Sequence, residues 1–196
     1  MKRFLSAAFA AALYVWLFLL GPSLFAQAFE WSLAAVDKKR SAALPVSRPV
    51  SMRNGDTVSF LISTAADCHV YIIAQDADRN VTVVYSGPLP AGQVLESDPV
   101  QIIAPAGTET FHLIVSREKD PALESRIEMF RKSGAFRDGR NVANAALDFR
   151  RSISALKEAP ERPVQMGGAF RGFNQDLEGV AYSGAEKYFK SIVINH

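Results

Sequence analysis

Gly55-Asp56-Thr57-Val58-Ser59-Phe60-Leu61-Ile62-Ser63-Thr64 decides the reading of this chain. After the turn signal Asn54-Gly55-Asp56, Val58, Phe60 and Ile62 face one way while Thr57, Ser59 and Ser63 face the other, the period of a half-buried strand. Cys68-His69-Val70-Tyr71-Ile72-Ile73-Ala74-Gln75 follows the turn Ala65-Ala66-Asp67 and is apolar on both faces, which predicts a central strand. Residues 76–80 form a polar hairpin loop from which residues 81–85 return. Gly87-Pro88-Leu89-Pro90-Ala91-Gly92 reads as a rigid connection, followed by a weaker strand pair at 93–95 and 100–103. Pro105-Ala106-Gly107 turns into residues 110–116, where Phe111, Leu113 and Val115 share a side. Strands at this spacing predict an antiparallel β-sandwich-like domain, either immunoglobulin-like or a partly open barrel.

Working outward, residues 29–36 offer a first strand, and Asp37-Lys38-Lys39-Arg40 a solvated, charged loop. Pro45 and Pro49 flank an extended piece suited to an edge strand or a linker. Beyond Ser116 the period changes. Asp120 is an N-cap with Pro121 at the first helical position, and Leu123, Ile127 and Phe130 form a stripe ending at Gly134, so a helix is predicted over about 120–133. A second helix, about 141–158, carries Val142, Ala146, Phe149, Ile153 and Leu156 on one face and stops at Pro160 and Pro163. These stripes are read as packing on the β-domain. Residues 165–184 are glycine-rich and irregular, with Phe170 and Phe173 as anchors, and 187–195 form a closing strand that ends at an exposed His196. The fold class is mainly β with α cover, two helices being inserted before the C-terminal strand.

The chain has 196 residues, 48% hydrophobic and 21% charged, which suits one globular domain. Lys2 and Arg3 precede an uncharged apolar run over residues 4–20, then Gly21-Pro22-Ser23 and the small-residue site Ala26-Gln27-Ala28. This is a signal peptide over residues 1–28, cleaved after Ala26 or Ala28, leaving residues 29–196 as a single extracytoplasmic domain, periplasmic or secreted. The alternative is an uncleaved anchor, because the run approaches spanning length. Loss of Lys2 and Arg3 brings the basic residues level with the 20 acidic ones, so the whole-chain pI of 8.7 misstates the mature protein. A neutral domain has no electrostatic attraction to nucleic acid or anionic lipid. The one cysteine, Cys68, stands far from any lipobox and alternates with Val70 and Ile72, as a buried thiol does.

Four patterns together resemble a known family. They are Gly55-Asp56-Thr57-Val58-Ser59-Phe60, Asp67-Cys68-His69-Val70-Tyr71-Ile72-Ile73, Asn80-Val81-Thr82-Val83-Val84-Tyr85, and the run from Pro105-Ala106-Gly107 through Phe111-His112-Leu113-Ile114-Val115-Ser116. Their order is similar to that of the bacterial domain of unknown function 4384, over about residues 53–116. The family usually has bulkier residues at Cys68-His69 and a different continuation at Ser86-Gly87-Pro88. The resemblance implies an accessory extracytoplasmic or signalling-associated module and transfers no catalytic residue.

Asp76-Ala77-Asp78-Arg79-Asn80 begins like a calcium loop, but Val81 and Gly87 stand where glycine and a bidentate glutamate belong. His69 and His112 lie on strands that, if neighbours, would let them approach; the other reading is of neutral histidines satisfied in the core. Cys68 and His69, adjacent on a strand, point to opposite faces. Gly167-Gly168-Ala169-Phe170-Arg171-Gly172 lacks phosphate-cradle spacing. The expectation is therefore a non-catalytic binding or adaptor module of the cell envelope with a protein partner. No catalytic residue, cofactor, metal, nucleic acid or, after cleavage, membrane contact is assigned. The alternatives are an envelope enzyme assembled from distant residues such as His69 and His112, and a membrane-anchored structural protein.

Overall fold

The computed structural model describes residues 29–153, 161–166 and 177–196. The signal segment, the end of the second helix with Leu156, the Gly167–Gly172 run, Phe170 and Phe173 lie outside them.

Two sheets face one another without closing into a barrel, in agreement with the expected β-sandwich-like fold. In the first, β1 (Glu30–Asp37) pairs along its length with β4 (Thr57–Thr64). The other edge of β1 is shared by β11 (Leu177–Ser183) and β2 (Ala42–Leu44), with β10 (Arg162–Met166) outside β11. The far edge of β4 takes β7 (Val94–Glu96) and β8 (Val100–Gln101). The second sheet runs β3 (Val50–Ser51), β12 (Lys187–Asn195), β9 (Thr108–Ser116), β5 (Cys68–Gln75), β6 (Val81–Leu89); only the β3–β12 pair is parallel. Helices α1 (Pro121–Ser133) and α2 (Phe136–Ile153) cover its outer face.

The alternation seen in the sequence is what fills the space between the sheets. Trp31, Leu33, Val58, Phe60 and Ile62 from the first sheet meet Val70, Ile72, Phe111, Leu113, Val115 and Ile192 from the second. The Phe60 and Phe111 rings lie 5.0 Å apart across this layer. β5 is apolar on both faces because Tyr71 and Ile73, with Ile114 of β9, form a second core under Leu123, Ile127, Val142, Ala146 and Phe149. Each such side chain contributes about 1.5–3 kcal/mol by leaving water, which is why a doubly apolar strand must lie beneath helices.

Several expectations need correcting. The pair expected at 93–95 and 100–103 is not a pair: β7 and β8 each bond to β4 instead. The stretch read as irregular over 165–184 contains β11 and the end of β10. β6 continues through Gly87 and Pro88 to Leu89, because an edge strand tolerates a residue that donates no ladder bond. α2 starts at Phe136, not near Asn141. Asp37-Lys38-Lys39-Arg40 is a structured corner. Asp37 and Asp56 are both buried and both bind the Arg40 guanidinium, and Asp37 also accepts the Lys39 and Arg40 backbone N–H groups at 2.9 and 3.1 Å. The Arg53 N–H and Arg40 hold the Asp56 carboxyl below the usual carboxylate range.

Candidate functional site

The two histidines stand on neighbouring strands, β5 and β9, and on the same face of the second sheet. Register keeps them apart: His69 lies opposite Ser116, and His112 opposite Ile73. Four residues of strand separate the two rows, about 13 Å. His112 is buried, its Nδ1 3.1 Å from Ser191 Oγ and its ring 5.4 Å from that of Phe189. Burial, with a smaller contribution from the Arg150 charge, pushes its pKa down to about 4. A base so weakened, with no carboxylate bonded to it among the described residues, is poorly suited to activating the Ser191 hydroxyl. Among the described residues His69 Nδ1 and Ser116 Oγ, both buried, have no hydrogen-bond partner, and they do not bond each other.

Cys68 faces the inter-sheet core and His69 the helix layer, so no thiolate–imidazole pair exists. Burial pushes the Cys68 thiol up to about 11, outside the range of a reactive cysteine. The calcium-like loop spends its first carboxylate internally: Asp76 accepts the Asn80 backbone N–H at 2.7 Å and its side-chain N–H at 2.8 Å. Among the described residues no three His, Cys, Asp or Glu side chains gather as metal ligands, and no helix is long and apolar enough to cross a membrane.

Two polar clusters escaped the sequence reading. His196, expected to be exposed, has its side chain 1% exposed, with Nδ1 2.8 Å from Asn54 Oδ1 and Nε2 3.5 Å from Glu109 Oε1. Reciprocal backbone bonds to Gly107 draw it in. Burial raises the Glu109 pKa, which His196 partly offsets. In the second cluster Glu161 accepts from Tyr182 at 3.0 Å and also from Lys190 and Ser47, tying four separate segments together. Burial works to raise the Glu161 pKa, but these donors outweigh it and hold the carboxyl below its ordinary range. Open grooves of about 430 and 490 Å³ border β10. The serines in the first, Ser32 and Ser63, bond each other at 2.6 Å, with no histidine in the lining.

The feature with a clear capacity for recognition is an edge. β6 ends the second sheet, and among the described residues no backbone group outside the sheet bonds to it. Its nine residues, Val-Thr-Val-Val-Tyr-Ser-Gly-Pro-Leu, include no charge. The other free edges differ. β2, β3, β7 and β8 are two or three residues long, β10 carries Arg162 and Pro163, and the free stretch of β12 carries Lys187 and Lys190. Charge and brevity are the usual protections of a sheet edge. β6 has Pro88 near one end and a bulge at Val84, opposite Ile72–Ile73, and carries its regular open stretches on either side of it, at Val81 to Val83 and from Tyr85 to Gly87. The missing charge was visible in the sequence; that the strand lies at an edge was not.

The chain matches no protein-family model, no curated protein and no solved structure.

Proposed function

We propose that this protein is an exported, non-catalytic binding or adaptor module of the bacterial cell envelope that captures an extended segment of a partner by strand addition to β6. The long, uncharged, unpaired edge of β6 carries this reading. A new strand there gains main-chain hydrogen bonds along an existing ladder, while pockets beside the strand select side chains. The resemblance to the domain of unknown function 4384 agrees with an accessory extracytoplasmic role, and residues 1–28 supply the export signal. Cleavage after Ala28 would leave β1 whole, since β1 begins at Glu30. Intact mass of the native protein reports whether that segment is removed.

The decisive experiment places a photo-crosslinking residue at Thr82, exposed on β6, or at Lys187, exposed on β12, as a control. Illumination in the native envelope, followed by capture and mass spectrometry, is expected to give one dominant protein adduct from position 82 only. Equal adducts from both positions, or none above background, would sink the proposal.

A further inference from the structure

The way α2 crosses the sheet says what kind of strand β6 receives. Near its start, Gly139 packs so closely on β6 that an added Cβ would lie 3.2 Å from the Val81 Cβ. Towards its end, the Arg150 guanidinium lies 5.6 Å from the centre of the Phe189 ring on β12. Between these strands are three inter-strand spacings, about 14 Å, and the helix from 139 to 150 rises about 16 Å. Phe189 stands in the row of Ile114, Tyr71 and Ser86, four residues along the strands from the row of Val81 and Gln75. The helix therefore crosses the strands obliquely, with its first turn pointing outward past the start of β6. Phe136 lies about 4.5 Å before Gly139 along this oblique axis, on the same side of the helix as Gly139. That step carries it outward by less than one strand spacing of about 4.8 Å and also past Val81 along the strand. Its ring is 51% exposed, the Arg140 guanidinium resting 6.0 Å from its centre.

We infer that Phe136 roofs the vacant strand position beside β6 and selects partner segments that alternate apolar and polar residues, with an apolar side chain beneath this ring. The inference rests on the strand-addition reading. In β6 the residues facing the helix layer near this point are Val81 and Val83, which pack into the helix-covered core. A side chain entering beside Val81 and Val83 under Phe136 meets mostly hydrocarbon, so burying an apolar group there is favourable, and an uncompensated charge, above all a cation facing Arg140, is penalised. The next residue of the added strand points to the opposite face beside the exposed Thr82, where a polar group stays in water. A second copy of this chain fits less well. Two β6 strands paired antiparallel along their length bring Ser86 and Pro88, the helix-facing residues of the far end, under Phe136.

The test selects a phage-displayed random decapeptide library against the protein. The peptides obtained are measured on wild type and on Phe136→Ser, with hydrogen exchange locating each complex. Alternating peptides that slow exchange in β6 and bind Phe136→Ser roughly tenfold more weakly are expected; serine in place of the peptide's central apolar residue should cost as much. Because Phe136 is at the surface, an unchanged melting temperature separates lost contact from lost fold. Peptides that protect β6 but bind both proteins equally overturn the role of Phe136 and leave strand addition standing. No enrichment, or protection away from β6, overturns both. Self-association with β6 amides protected in the absence of peptide assigns the position to a second copy and likewise overturns the inference.

Discussion

A buried, neutral imidazole at His112 makes stability depend on pH in a definite direction. Its pKa in the fold is held at about 4, against an ordinary 6.5, by burial first and the Arg150 charge second. As pH falls through 6.5 the unfolded chain takes up a proton that the folded chain refuses until about 4, so stability present above 6.5 is lost across this window. The contribution is roughly 3 kcal/mol. Urea unfolding of wild type and His112→Gln at about pH 7 and about pH 4.5 reads the difference, in which other titrating groups cancel. The variant is expected to lose less stability on acidification; equal losses would mean that His112 takes up its proton in the folded state as readily as in the unfolded one. That His112 is neutral within the core was one of two readings open from sequence. Its separation from His69 was not legible, because a pairing register depends on residues far apart in the chain, here Tyr71 opposite Ile114.

Among the elements, α1 was legible almost to the residue because its signals are local. The Asp120 side chain accepts the Leu123 N–H at 2.9 Å, Pro121 opens the first turn, and Gly134 at φ 61° closes the last with its N–H on Phe130 O. α2 starts at Phe136 rather than near the expected Asn141, and so takes in Gly139, a poor helix former. Its reason is close packing, since a Cβ there would stand 3.1 Å from the Phe130 ring and 3.2 Å from Val81. The glycine-rich, irregular reading of residues 165–184 hid β11, in which Gly179 permits close approach. An added Cβ would lie 2.7 Å from the Leu33 carbonyl oxygen and 2.8 Å from Met166 Sδ. The thioether can swing aside, but the carbonyl belongs to β1, paired on its other edge with β4. Gly179→Ala is therefore expected to push β11 off β1 and cost about 1–3 kcal/mol, seen as a lower denaturation midpoint. An unchanged midpoint would show that β11 shifts freely and that the β1–β11 pairing adds little to stability.

On the scale of the whole molecule, protection should fall from the centre of the second sheet to its edge. β5 and β9 have a strand on each side, the inter-sheet core beneath and the helices above. Alternation in the sequence made the sandwich legible, and the doubly apolar residues 68–75 marked its centre, but no local pattern says which strand lacks an outer neighbour. In the free protein the slowest amide exchange is expected in β5 and β9, with opening approaching global unfolding. Along β6 the groups directed at β5 should be slow and those directed outward fast, an alternation of period two seen by residue-resolved exchange. With a partner bound, the outward amides should slow while β5 and β9 change little, because strand addition bonds only the open side. Uniformly slow exchange along β6 in the monomeric free protein would instead show an edge already covered from within the chain, and partner capture by strand addition would then be ruled out.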